Sequence, residues 1–432
     1  VFTFYFGFVQ FRRIGLAIDI VRGKFSNPDK KEPGEVSHFQ ALTTSLSGTV
    51  CLWNIAWVCV ALSIGGAGAT FWMIVCGLFG MASKFTECTL GVKYRNENAD
   101  GTVSGGPMYY LSKAFKEKGH AKTGKILAVG FAIMTIFAAF GAGNMFQGNQ
   151  ANAMIVQTFG LAPGYGWITG IIFAILLAGV IIGGMPSIGS VTSKLVPFMA
   201  TLYVGMAVIV LVSHYDQIGA AFEQIFIGAF TGAGVAGGFI GALIQGLKRA
   251  TFSNEAGVGS AAIAHSAVKT KEPITEGFVS LLEPFIDTVV ICTMTALVII
   301  ISGMNTGALS GVTLTAAAFT ETSFIFEYFL ALAVVMFAFS TMVSWSYYGL
   351  KAWTYLFGEG ATTELVYKGI FCLFVIVGTS ISFGAVIDFS DAAMFSMSIF
   401  NIIGLYYLML IVKKELNSFV ARVNSGEIKR YK

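Results

Sequence analysis

"GLKRATFSNEAGVGSAAIAHS", residues 246–266, decides how this chain folds, because it admits two readings. Lys248, Arg249, Asn254, Glu255 and His265 sit in it among three glycines and other small residues. On polarity alone it is a loop between two short helices. The Lys and Arg around it argue for a span that breaks midway. Segments 12–38 and 93–125 hold six and seven basic residues, the tail 413–432 holds six, and Lys194, Lys269, Lys271, Lys351 and Lys368 mark later turns on that side. The turns near 65–68, 159–165, 214–217, 303–324 and 387–390 hold none. Basic loops stay on the cytoplasmic side, so the C-terminus is expected inside and the N-terminus outside. One crossing is needed between 214–217 and 269–271, and 236–266 is the only adequate stretch. Glu255 then lies in a span or at its break, where a carboxylate must face a cavity or pair with a neighbour such as Arg249.

Composition sets the wider frame. Of 432 residues 55% are hydrophobic and 12% charged, too few charges to cover a soluble surface. Apolar stretches of about 20 residues, enough to cross a hydrocarbon core, recur along the chain, whereas barrel strands run only about 10. Ten complete spans are expected near 41–64, 69–92, 126–158, 166–185, 194–213, 236–266, 277–302, 325–350, 365–386 and 391–412. The opening "VFTFYFGFVQFRRIG" meets Arg12 after only eleven residues, so it reads as the end of a first span that starts upstream, without a signal peptide's marks. Residues 218–230, "IGAAFEQIFIGAF", read as an amphipathic segment along the interface.

The six cysteines lack metal-type spacing and read as buried thiols. The four histidines, His38, His120, His214 and His265, are far apart in sequence, and no Ser or Cys sits beside an obvious base, which disfavours an enzyme. No filter motif points to a channel, and the net charge of +4 reports topology, with no nucleic-acid footprint.

The spans form two consecutive sets of five, 41–213 and 236–412. Five is odd, so the second set runs inverted. Each set opens with an irregular segment: "TTSLSGTV" followed by Asn54 in the first, and 246–266 in the second. Paired broken helices in inverted halves place a substrate site at the bilayer midplane, with half-helix ends facing it. The architecture is that of a secondary transporter.

The residues also resemble a family. "SGTV.L.NIA" at 47–56, "SGGPMYYL" at 104–111, "GNMFQGNQ" at 143–150 and "GLKRATFSNEAGVGSAAIAH" at 246–265 are similar to the alanine/glycine:cation symporters of the amino acid–polyamine–organocation superfamily. The resemblance implies an all-α polytopic membrane protein. Its fold would be a leucine-transporter-like 5+5 inverted repeat behind one extra N-terminal helix, about eleven helices with the first truncated. Residues 1–40 would be the end of that helix and a cytoplasmic loop, 41–213 the first repeat, 214–235 an interfacial segment, 236–412 the second repeat and 413–432 a cytoplasmic tail. It implies sodium-driven uptake of alanine and glycine at the plasma membrane.

By position, the family's substrate site would involve Thr49, Asn54, the backbone of 49–54, Gln147, Phe252 and Trp345. Backbone N–H groups of an unwound turn suit a carboxylate, and amide oxygens accept from an ammonium. The co-transported Na+ would meet the carbonyls of Thr49 and Leu52 and the hydroxyls of Ser340, Thr341 and Ser344. Asp287 is a further intramembrane acid, either structural or on the ion path. Cys51, Trp53 and Trp57 depart from the pattern, since the family usually has glycine there. Trp53 leaves three outcomes open: a reshaped pocket, a weakened or non-transporting descendant, or indoles turned into lipid. Glu255 and Asp287 keep proton coupling open as the alternative to sodium.

Overall fold

Eight helices in the computed structural model are long and apolar enough to cross a membrane, counted among the described residues 1–25, 32–99, 101–162, 164–231, 238–303 and 311–431. Parts of the expected loop 12–38, the segments 93–125 and 159–165, the interfacial segment 214–235, the span 236–266, the turn 303–324 and the last tail residue lie outside them.

In chain order, α1 (Phe2–Tyr5), α2 (Val9–Arg12) and α3 (Ile14–Val21) lead in. Gly7 and Phe8 both have positive φ, so the chain bends where the sequence predicts one continuous helix end. The first broken span is α4 (His38–Thr49) and α5 (Trp53–Gly65), followed by α6 (Gly68–Lys93). A two-stranded hairpin, β1 (Asn96–Glu97) with β2 (Val103–Ser104), and α7 (Pro107–Glu117) come next. Then α8 (Ala121–Phe140) runs through a π-helical turn, Gly141–Met145, into α9 (Phe146–Phe159). After it come α10 (Gly166–Ile181), α11 (Gly184–Ser213) and α12 (Ile218–Thr231).

The second broken span is α13 (Gly238–Asn254) and α14 (Ser260–His265). It is followed by α15 (Pro273–Ser280), α16 (Leu282–Pro284), a π-helical stretch Phe285–Cys292 and α17 (Thr293–Ile301) as one crossing. Last come α18 (Val312–Thr320), α19 (Ile325–Phe357), α20 (Ala361–Gly378) and α21 (Phe383–Asn424). The eight long spans leave out α10, which is apolar but shorter, and the α13–α14 pair, which is interrupted.

Burial sorts these helices into inner and outer ones. The apolar window of α4–α5 is 83% buried, that of α20 only 22%, so the first broken span is central and α20 faces outward. The inner position suits its sequence. α4 carries Thr43, Thr44, Ser45, Ser47 and Thr49, all buried, which lipid would not solvate. A capping box of Ser37 and Gln40 starts it.

The break at Val50–Leu52 is held by one side chain. Cys51 N–H donates to Asn54 Oδ1 at 2.7 Å, replacing an intrahelical bond. At the second break, Asn254 Oδ1 accepts from Ala256 N–H at 2.9 Å and ends α13. Glu255 follows with φ 53°, a left-handed conformation costly for a side chain, then Gly257 and Gly259 with φ 87° and 96°. Residues 246–266 are therefore neither a loop nor one helix but two helices joined by a turn. Glu255 finds its partner in Ser260 Oγ, not in Arg249, which lies 3.7 Å from Asp391 and stacks on the Trp57 ring at 4.2 Å.

On the basic face, Arg95 gathers the loops. Its guanidinium donates to the carbonyls of Pro33, Ser266, Val268 and Thr270. That cation sits just beyond the C-terminus of α14, where the helix dipole favours it. α12 packs on α6, with the Trp72 indole N–H donating to Ala229 O at 3.1 Å, while Phe222, Phe226 and Phe230 stay exposed.

Candidate functional site

Asn54 joins the two breaks. Its Nδ2 lies 3.1 Å from Ser253 Oγ on α13 and 2.6 Å from Asp287 Oδ1 on the π-helical stretch. Ser253 and Thr288 donate to Asp287 Oδ2 at 2.7 and 2.6 Å, and Asn254 Nδ2 donates to Thr288 Oγ1 at 3.1 Å. All of these residues are buried. The carboxylate and the two hydroxyls are hard oxygens with a single negative charge, while the Asn54 amide faces them with its N–H. Such a set suits a monovalent alkali cation better than a transition metal. Among the described residues, no group of three or more His, Cys, Asp or Glu has metal-holding geometry.

A second hydroxyl group joins α4 to α19. Thr341 Oγ1 donates to Ser47 O and Ser344 Oγ to Thr44 O, each at 2.8 Å, and the Ser47 and Ser344 hydroxyls bond each other. The carbonyls engaged are those of Ser47 and Thr44. The Leu52 carbonyl accepts from Ala56 N–H at 2.7 Å in the first turn of α5, and Thr49 Oγ1 turns back to Ser45 O and Leu46 O. Ser340 Oγ donates to Phe337 O within its own helix.

The aromatic residues close a third group. Trp53 is fully buried, its ring 6.0 Å from that of Phe252, 6.3 Å from Trp345 and 6.4 Å from Phe146. Trp57 stacks on Phe146 at 5.3 Å and meets Phe252 at 5.8 Å. Neither indole faces lipid. Trp53 fills the space between Phe252 and Trp345 that the resemblance assigns to a substrate.

Polar atoms are stranded in that space. Gln147 Nε2 donates to Ala142 O at 3.1 Å, but its Oε1 is buried without a partner among the described residues, as are the indole N–H groups of Trp53, Trp57 and Trp345. A buried unpaired polar atom costs about 1–3 kcal/mol, so several around one aromatic cluster make it a candidate place for a polar ligand or water. Phe252 and Trp345 both meet the Trp53 ring, Gln147 Nε2 lies 3.9 Å from Cys51 Sγ, and Asn54 belongs to the Asp287 group. Thr49 sits beside the break, and the Thr341 and Ser344 hydroxyls belong to the neighbouring group on α19.

Ser253, Thr288 and Phe146 escaped the sequence reading. Ser253 stands next to Phe252 in the same motif, and Thr288 next to Asp287. Phe146 gives no local sign, since 39 phenylalanines occur in the chain.

Comparison with known proteins bears on family and fold. A model of the sodium:alanine symporter family matches residues 1–432. The sodium/alanine symporter AgcS of Methanococcus maripaludis is 40% identical over 422 residues, covering 96% of this chain and 91% of that protein. The probable sodium/glutamine symporter GlnT of Bacillus subtilis is 30% identical over 432 residues, covering 99% and 87%. Among solved structures, MhsT in complex with L-phenylalanine superposes with a TM-score of 0.60 at 15% identity, over 86% of this chain and 88% of that one. The manganese transporter of Eremococcus coleocola gives 0.57 at 12% identity, over 88% and 82%. The fold is leucine-transporter-like, all-α and polytopic.

Proposed function

The chain belongs to the sodium:alanine symporter family, and from that premise we propose that it couples sodium entry to uptake of small neutral amino acids, alanine and glycine, by alternating access. The observation that carries this reading is Asn54, which binds Ser253 and Asp287 across both helix breaks. A cation beside Asp287 and a substrate at the same breaks would then be held by shared backbone and side chains. Sodium would bind at the Asp287 cluster, at the α19 hydroxyls with the carbonyls of α4, or at both. The substrate would contact Thr49, Asn54, Gln147, Phe252 and Trp345, and the Trp53 indole would have to swing aside to admit it. In this reading residues 41–213 and 236–412 are the two inverted repeats, and the protein lies in the plasma membrane with its basic loops and C-terminus in the cytoplasm.

Uptake of radiolabelled alanine and glycine into proteoliposomes tests it. An inward sodium gradient should drive accumulation several-fold above the sodium-free control; equal uptake in both overturns the coupling. Trp53 favours a second reading, a descendant that binds but does not transport. Binding without uptake, with uptake gained in Trp53→Gly, Cys51→Gly, would select that reading.

A further inference from the structure

A chain of buried titratable side chains runs from the basic face toward the centre of the molecule, and the substrate and cation reading does not use it. His38 opens α4 on the face of the 12–38 loop and is 6% exposed. Its Nδ1 hydrogen-bonds Glu276 Oε1, Glu276 Oε2 bonds His265 Nδ1, and His265 Nε2 bonds Glu283 Oε1. Glu283 Oε2 ends the chain, 2.9 Å from Lys84 Nζ and accepting from Ser45 Oγ at 2.8 Å. His265, Glu276, Glu283 and Lys84 are fully buried. Around them stand Glu87 and Cys88 on α6, Glu255 at the second break, Tyr348 from α19 and Arg95 at the basic end. Glu276, Glu283 and Asp287 follow one another along the same span, on α15, α16 and the π-helical stretch.

His265 is the pivot, since each of its nitrogens meets a carboxylate. An imidazole donating from both nitrogens is an imidazolium; the neutral form donates from only one. With imidazolium, Lys84 and His265 balance Glu276 and Glu283. Without that proton the set carries one negative charge. A sodium ion beside Asp287 supplies one positive charge to the same interior. Swapping one for the other leaves the buried charge unchanged, whereas adding either alone changes it by one in a medium of low dielectric.

We propose that the chain His38–Glu276–His265–Glu283–Lys84 is a proton relay that exchanges one proton with the basic face for each sodium ion bound. The proposal rests on the sodium-coupled reading above. As sodium enters, the His265 Nδ1–H bond breaks and Glu276 Oε2 takes the proton. His38, whose Nδ1–H had donated to Glu276 Oε1, turns its ring, accepts that proton on its free Nε2 and releases the Nδ1 proton to water. His265 stays neutral, donating from Nε2 to Glu283. The reverse reloads it as sodium leaves.

The test is binding of ²²Na⁺ to the purified full chain in detergent from pH 5.5 to 8.5, with proton release on sodium addition followed by an indicator dye in unbuffered solution. One-for-one exchange weakens apparent sodium affinity about tenfold for each unit of acidification in the titrating range, and releases about one proton per sodium bound. In His265→Gln, or His265→Asn if the first does not fold, sodium binds with no pH dependence and no release. A wild-type affinity flat with pH and no released proton overturns the relay while leaving symport intact. Unchanged pH dependence in the His265 variant places the proton elsewhere and overturns it too. If no sodium binds at all, the symport reading falls and the relay with it.

Discussion

Trp53 concentrates the specificity question in one side chain. Its indole is packed by Phe146, Phe252 and Trp345, and its N–H is unpartnered among the described residues, so it occupies apolar space at a polar cost. Trp53→Gly with Cys51→Gly should let leucine or phenylalanine compete with labelled alanine at least about tenfold better than in the parent, at a stability cost of about 3–5 kcal/mol from the cavity. Competition binding and a melting curve check both arms. Asp287→Asn tests the cation cluster. Three donors, from Asn54, Ser253 and Thr288, converge on this carboxylate, so an amide there loses the charge and faces donors with a donor. Hydrogen bonds to charged groups are worth about 1.5–3 kcal/mol, so sodium affinity should fall roughly 10- to 100-fold in ²²Na⁺ binding. Asn54 and Asp287 were legible in the sequence because an amide and an acid stand out in apolar spans. Their mutual contact was not, since 233 residues separate them.

At the scale of elements, eight of the ten expected spans and both breaks could be read from residue chemistry. Apolar length finds a span, and Asn, Gly and hydroxyl residues inside one mark where its ladder opens. What the sequence left ambiguous in 246–266 was settled by backbone geometry: Asn254 closes α13, and three positive-φ residues turn the chain before α14 starts. Gly259 is the most constrained of them. A Cβ there would also lie 2.6 Å from Pro107 Cγ and 3.0 Å from the Phe131 ring. Gly259→Ala should cost about 1–3 kcal/mol through strain alone and shift α14 away from α7 and α8. A lower melting temperature with reduced sodium affinity is the expected pair of readouts, because α14 carries His265. The relay itself was hidden at this scale. His38 and His265 look isolated in sequence, and only the fold sets Glu276 between them.

For the molecule as a whole, the decisive feature is a buried ion pair that ties two inner spans together. Lys84 and Glu283 lie on different spans, both fully buried, and their 2.9 Å contact links α6 to the span that carries Asp287. Neither residue drew notice in the sequence, because a single Lys in "GMASKFTECTL" says nothing about which acid it meets. Removing one partner of such a pair leaves an uncompensated charge and costs about 3–5 kcal/mol, while removing both is often close to neutral. Lys84→Met should therefore destabilise the protein more than Lys84→Met with Glu283→Gln, as read from melting in detergent without sodium. The double variant keeps a side chain at position 283 that still bonds Ser45 and His265, so part of the packing survives. Sodium should then separate the two effects. An ion that binds only the folded state at a hundred times its Kd adds about 2.7 kcal/mol. The parent should gain that increment, and the double variant should gain it as well if its loss is confined to the Lys84 pair and the Asp287 cluster is intact. A double variant that recovers stability but shows no sodium increment would instead place Lys84 and Glu283 in direct support of the cation site.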